Sequence, residues 1–180
     1  MTTAEQVEQI LAEMRDVFAR VAPDAVANLA KEIAQARRIF VYGAGRTGLA
    51  LQGFAMRLMH LGLDGHFVGQ LSAPPAGKGD LLVCVLSVGR LPTGDALIQT
   101  AKQAGTRVAV ISARPNLVQN ADLVIGLPAQ TMADPMTSLL PLGSAFELAL
   151  TLLCDLTVVE LMKRLGKSND DLAVRHANLL

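Results

Sequence analysis

From Val7 onward, apolar residues recur at Ile10, Leu11, Met14, Val17, Phe18 and Val21, the three-and-four spacing of a helix with one apolar stripe. Pro23 and Asp24 suit the first turn of a second helix, which Val26, Leu29, Ala30 and Ile33 continue. The period then changes. "RRIFVYG" (37–43) predicts a strand, followed by a helix over roughly 47–61 and a short strand at "GHFVGQ" (65–70). "DLLVCVLS" (80–87) is a continuous apolar run, as in a central parallel strand covered on both faces. A helix over roughly 94–104, strands at "RVAVIS" (107–112) and "ADLVIGLP" (121–128), and a long helix from about 144 to 164 complete the chain.

This alternation predicts an α/β fold: a five-stranded, mainly parallel sheet flanked by helices, with two helices leading. No repeat or long linker divides residues 1–180, so a single domain is expected. Two irregular stretches stand out, "QLSAPPAGKGD" (70–80) and "PAQTMADPMTSLLPLG" (128–143). Both precede elements that could line a site.

Composition narrows the function. Half the residues are hydrophobic (51%), which suits a doubly covered sheet and excludes disorder. Net charge is zero, with no Trp and one Tyr, so neither a cationic footprint nor a stacking platform for nucleic acid is present. The N-terminal stretch is acidic and amphipathic, without a signal-like apolar core. The most apolar segment, "LGSAFELALTLLCDLTVVELM", carries Glu147, Asp155 and Glu160 and makes a poor membrane span. Cys84 and Cys154 lie far apart in apolar runs, as inert buried thiols do. A cytoplasmic protein without membrane or nucleic-acid partners is expected.

Between the first strand and its helix lies Gly43-Ala44-Gly45-Arg46-Thr47-Gly48. Glycines let a backbone approach a ligand, and a helix N-terminus offers free N–H groups to a phosphate. The stretch matches G-x-G-x-x-G, yet a dinucleotide site needs an acidic residue ending the next strand, where this chain has Gln70. Arg46 and Thr47 instead offer donors to a phosphate or a sugar oxygen.

"GAGRTGLALQGFAMRLMHLG" resembles the first motif of sugar isomerase (SIS) domains, specifically of 6-phospho-3-hexuloisomerases, which read G-A-G-R-S and then F-A-M-R-L-M-H. "PLGSAFE" (141–147) resembles their P-M-G-S-L-F-E, and "RHANL" (175–179) their C-terminal R-H-A-N-L-E. The resemblance spans essentially the whole chain. It implies a homotetramer with sites near subunit interfaces, no metal or organic cofactor, and isomerisation of 3-hexulose 6-phosphate to fructose 6-phosphate after formaldehyde fixation on ribulose 5-phosphate. One stretch departs from the pattern. Where SIS domains carry a phosphate loop of the type S-G-S-G-x-T, this chain reads Ser87-Val88-Gly89-Arg90-Leu91-Pro92-Thr93. Ser87 and Thr93 remain as hydroxyls, Pro92 suits the first turn of the next helix, and Arg90 is either a compensating phosphate clamp or an ordinary solvated arginine.

A shift of a carbonyl along a sugar through a cis-enediol needs a base at carbon and a group that moves protons between oxygens. The resemblance assigns the base to Glu147 and the proton shuttle to His60 and His176, the latter at its own or a neighbouring subunit's site. Substrate binding falls to Gly45, Arg46, Thr47, Ser87, Arg90 and Thr93. From spacing alone, Ser144 and Glu147 are equally a capping box, S-x-x-E, and His60 is a histidine suited to a helix C-terminus. His66 reads as structural, Arg57 as an interface residue, and Ser72 matches only a loose hydroxyl position. The competing function is a non-catalytic phosphosugar-binding module that senses metabolite level, favoured by the altered 87–93 loop.

Overall fold

The computed structural model describes residues 1–179. Two helices, α1 (Thr3–Ala19) and α2 (Ala25–Gln35), lead into β1 (Ile39–Tyr42), α3 (Arg46–His60), β2 (Gly65–Phe67), β3 (Leu81–Val85), α4 (Pro92–Gln103), β4 (Arg107–Ser112), β5 (Leu123–Gly126), α5 (Ser144–Leu165) and α6 (Asn169–Ala173). All four strand pairings are parallel, in the order β2-β1-β3-β4-β5, with Ile39 opposite Gly65 on one side and Leu81 on the other. The expected α/β class, five strands and two leading helices are all present.

The strands sort their side chains by parity. Ile39, Val41, Leu81, Val83, Val85, Ala109 and Ile111 face one layer, where Leu29, Ile33, Leu51, Leu58, Phe146, Leu150 and Leu153 of α2, α3 and α5 meet them. Phe40, Leu82, Cys84, Val108 and Val110 face the other, covered by Ile98 and Ala101 of α4. β3 is buried at every position, as its unbroken apolar run predicts. Burial lifts the Cys84 thiol to about 12, so both this cysteine and the buried Cys154 are core hydrophobes.

Some boundaries differ from the sequence reading. β2 stops at Phe67, because Gly69 (φ 104) and a turn from the Gln70 N–H to the Phe67 carbonyl (3.0 Å) end it before residue 70. Pro23 precedes α2, whose cap is Asp24. α4 begins at Pro92, where a missing N–H costs nothing. Among the described residues, the segment Pro141–Leu165 alone is long and apolar enough to cross a membrane, and half of its apolar window is buried within the chain. Its outer face carries Leu148, Leu152, Leu156 and Val159, and Leu49 and Met56 of α3 are exposed as well.

This topology positions the site. α3 follows β1 on one face of the sheet and α4 follows β3 on the other, so the two connections diverge at the carboxyl ends of adjacent strands. Such switch points open a crevice in parallel sheets.

Candidate active site

The crevice is occupied by the glycine loop on one side and the 87–91 loop on the other. Gly45 caps α3 at φ 58, ψ −132, a backbone conformation that only glycine takes comfortably. Gly43 and Gly48 serve close packing: a Cβ on Gly48 would stand 2.5 Å from the Gly43 carbonyl oxygen. The glycines thus fold the loop tightly and leave the first N–H groups of α3 free at the crevice.

A cavity of about 280 Å³ lies here, with Gly45, Arg46, Thr47, Ser87 and Glu147 on its wall. Its size is near the low end of small-molecule sites and suits a sugar phosphate. Glu147, in the first turn of α5, does not cap its helix. The α5 cap is Gly143 without any side-chain bond, so the capping-box alternative fails. The Glu147 carboxylate instead accepts a hydrogen bond from Arg46 Nε across the mouth of the crevice. That bridge separates the cavity from a second one of about 470 Å³, lined by Leu49, Ala50, Leu140, Ser144, Leu148 and Thr151.

The remaining sequence candidates are dispersed. Thr47 donates its hydroxyl proton to the Ala44 carbonyl (2.6 Å), so it faces the cavity as an acceptor. The Ser87 carbonyl accepts from the Ala113 N–H (3.1 Å), which anchors the start of the loop beside the cavity. Arg90 pairs with Asp95 at 2.7 Å, and neither it nor exposed Thr93 reaches the cavity wall, where Val88 and Leu91 stand. Ser72 accepts from Gln70 (2.8 Å) away from the site. His66 stacks on Phe40 with ring centroids 5.4 Å apart and lies 2.9 Å from Asp64.

His60 is buried and stacks against His176, with centroids 5.4 Å apart and planes 19° from parallel. Burial, then the Arg57 guanidinium and His176, hold the His60 pKa below its usual value, favouring the neutral ring. Arg57 lies 3.3 Å from His60 Nδ1, and Arg175 lies against Gly62. This basic cluster sits at the end of α3 opposite Arg46. Fourteen residues at ~1.5 Å each separate the two ends by about 21 Å, so one chain does not unite Glu147 with His60.

The sequence reading missed Thr131, Met132, Leu142 and Phe146, which complete the wall. Apart from Phe146 they belong to the irregular 128–143 stretch, whose position ahead of α5 was the only available sign. That stretch is well tied. Asp134 accepts from the Thr131 N–H and hydroxyl (both 2.7 Å) and from Arg114 (2.9 Å), and Ser138 donates to Glu13 (2.6 Å). The Thr131 N–H and hydroxyl, then Arg114, hold the Asp134 carboxyl below its ordinary range against burial. Among the described residues, no three His, Cys, Asp or Glu side chains gather as a metal-ligand set.

Known proteins resemble this chain over nearly its whole length. The chain is 34% identical over 187 residues to the 3-hexulose-6-phosphate isomerase of Bacillus subtilis (strain 168), covering 99% of this chain and 100% of that one. The chain belongs to the 3-hexulose-6-phosphate isomerase family. A second member, from Mycobacterium gastri, is 37% identical over 171 residues, covering 93% of this chain and 86% of its own. The solved structure of a Methanococcus jannaschii protein, reported as inferring a molecular function of 3-hexulose-6-phosphate isomerase, superposes with a TM-score of 0.85 at 31% identity, over 98% of this chain and 99% of that one. No family model matches the chain. The family is one of SIS-domain phosphosugar isomerases, as the three sequence motifs imply.

Proposed function

We propose that this chain, one SIS domain over residues 1–180, interconverts 3-hexulose 6-phosphate and fructose 6-phosphate through a cis-enediol. One observation carries the reading: a half-buried carboxylate, Glu147, stands at the mouth of a sugar-sized cavity at the sheet's switch point. Glu147 removes the proton on C2 while the C3 carbonyl oxygen gains one, giving the enediol. The proton then returns at C3 as the C2 hydroxyl loses its own and becomes the new carbonyl. The exchange is internal to the sugar, so no hydride carrier is required. Arg46, bonded to Glu147, orients the base and faces the charge that develops on the oxygens. The phosphate lies against Ser87 and the backbone of its loop, and the Gly45–Thr47 turn receives the hydroxyl-bearing chain. Arg90 and Thr93 act on that loop's shape rather than on the ligand.

His60 and His176 move the oxygen protons, from another subunit. The rise along α3 keeps them from Glu147 within one chain, and the second cavity offers an approach from the far side of the Arg46–Glu147 bridge. Apolar side chains exposed on α3 and α5 flank that approach, which favours a homotetramer in which these faces pack together. The expected setting is cytoplasmic, downstream of formaldehyde fixation, with a sugar phosphate as the only partner besides sister subunits. Melting shifts test the ligand class. Fructose 6-phosphate should raise the melting temperature and NAD should not, because only a native-state ligand stabilises. A shift with NAD alone would refute the reading.

A further inference from the structure

We infer that Leu142 is a substrate-covering residue, whose side chain closes the cavity over the bound sugar and keeps water from the enediol; the inference rests on the isomerase reading above. Leu142 has φ 51 and ψ 35, the left-handed conformation that leucine adopts only at a cost and glycine adopts freely. Among the described residues, the other non-glycine residue at positive φ is Asn120, a type that tolerates it. Core packing gives Leu142 no compensation, because it is 79% exposed.

The backbone around it is fixed from elsewhere. Gly143, itself at φ 79, lies so close to the preceding loop that a Cβ there would stand 2.6 Å from Met132 N. The loop it abuts is tied by Thr131, Asp134 and Arg114. The turn therefore holds an uncovered leucine at the cavity rim, one residue before the cap of the helix that carries Glu147. Met132 (74% exposed), Leu91 and Val88 line the same cavity, so Leu142 is one of several apolar side chains there beside the polar Arg46, Thr47, Ser87 and Glu147. A strained, exposed leucine adds nothing to the folded chain alone. It gains a partner once a sugar lies beneath it, and the same contact excludes water from the proton held on Glu147.

Two variants test this. Leu142→Gly removes the cover and relieves the backbone. Leu142→Asn keeps a side chain tolerant of the left-handed conformation but makes the rim polar. Both should melt at or above the wild-type temperature, lose about tenfold in kcat/KM, and take up more deuterium from D2O into fructose 6-phosphate. A kcat/KM within about twofold of wild type, with unchanged deuterium uptake, overturns the inference. So does a loss of activity that tracks a lower melting temperature, or a loss of assembled mass by light scattering. If the wild-type chain turns over neither sugar, the isomerase reading fails, and the comparison passes to the melting shift caused by fructose 6-phosphate. Leu142→Gly should shrink that shift, and an equal shift in both proteins overturns the placement.

Discussion

Replacing Glu147 by Gln separates a catalytic carboxylate from a structural one. The side chain is 18% exposed and its partner Arg46 is 71% exposed, so the pair is largely solvated on one side and worth at most about 1 kcal/mol. A glutamine at this position still accepts from Arg46 through its amide oxygen, which preserves much of even that. α5 is capped by Gly143 and held by Phe146, Ala149, Leu150 and Leu153 in the core, so the helix does not depend on the side chain at position 147. For a chain of this length, 1 kcal/mol moves the melting temperature by roughly 2–4 °C, and the expected change is below that. The chemistry is affected far more. An amide does not take a proton from carbon, and a positioned general base contributes on the order of 10²–10⁴-fold. Fructose 6-phosphate formation in a coupled assay should therefore fall by about that factor in kcat, with a thermal melt close to wild type. Activity retained within about tenfold, with a clearly lowered melt, would return Glu147 to a structural role.

Ser87→Ala should raise KM by about tenfold with little change in kcat, since phosphate binding is shared by ground and transition states. Thr93→Ala, whose hydroxyl stands off the cavity, should leave KM unchanged, and initial-rate kinetics of the two variants check both. Gly48→Ala would force a Cβ to 2.5 Å from the Gly43 carbonyl oxygen, and the overpacking should cost about 2 kcal/mol, read as a melting temperature lower by roughly 4–8 °C. His60, held below its usual pKa by burial, Arg57 and His176, should make the protein lose stability as pH falls below about 6.5, because the unfolded chain takes up that proton first. His60→Gln should flatten the decline in melting temperature between about pH 7.5 and about pH 5 relative to wild type.

The fold was legible because its signals are local. Continuous apolar runs such as Leu81–Val85 mark a strand buried on both faces, and Gly43, Gly45 and Gly48 mark a turn that no other residues would make. Part of the candidate cavity wall was legible for the same reason, since Gly45, Arg46 and Thr47 follow a strand end, whereas Ser87 and Glu147 came from the resemblance to the family motifs. What escaped the sequence depends on long-range pairing. Nothing near Glu147 says that Arg46 takes its carboxylate, nor does anything near Arg90 say that Asp95 holds it rather than a phosphate. Thr131, Met132 and Leu142 sit in a stretch without periodicity, whose path is set by side-chain bonds to Asp134, Arg114 and Glu13. The separation of His60 from Glu147 follows from the straight length of α3, which a motif read as a string does not reveal.

Turnover is measured by incubating the purified chain with 3-hexulose 6-phosphate while fructose 6-phosphate is followed continuously. Saturable conversion is expected, with kcat of about 1 s⁻¹ or more, together with the reverse reaction from fructose 6-phosphate. A chain whose melting temperature rises with the sugar phosphate but which converts none of it is a phosphosugar sensor and not an isomerase.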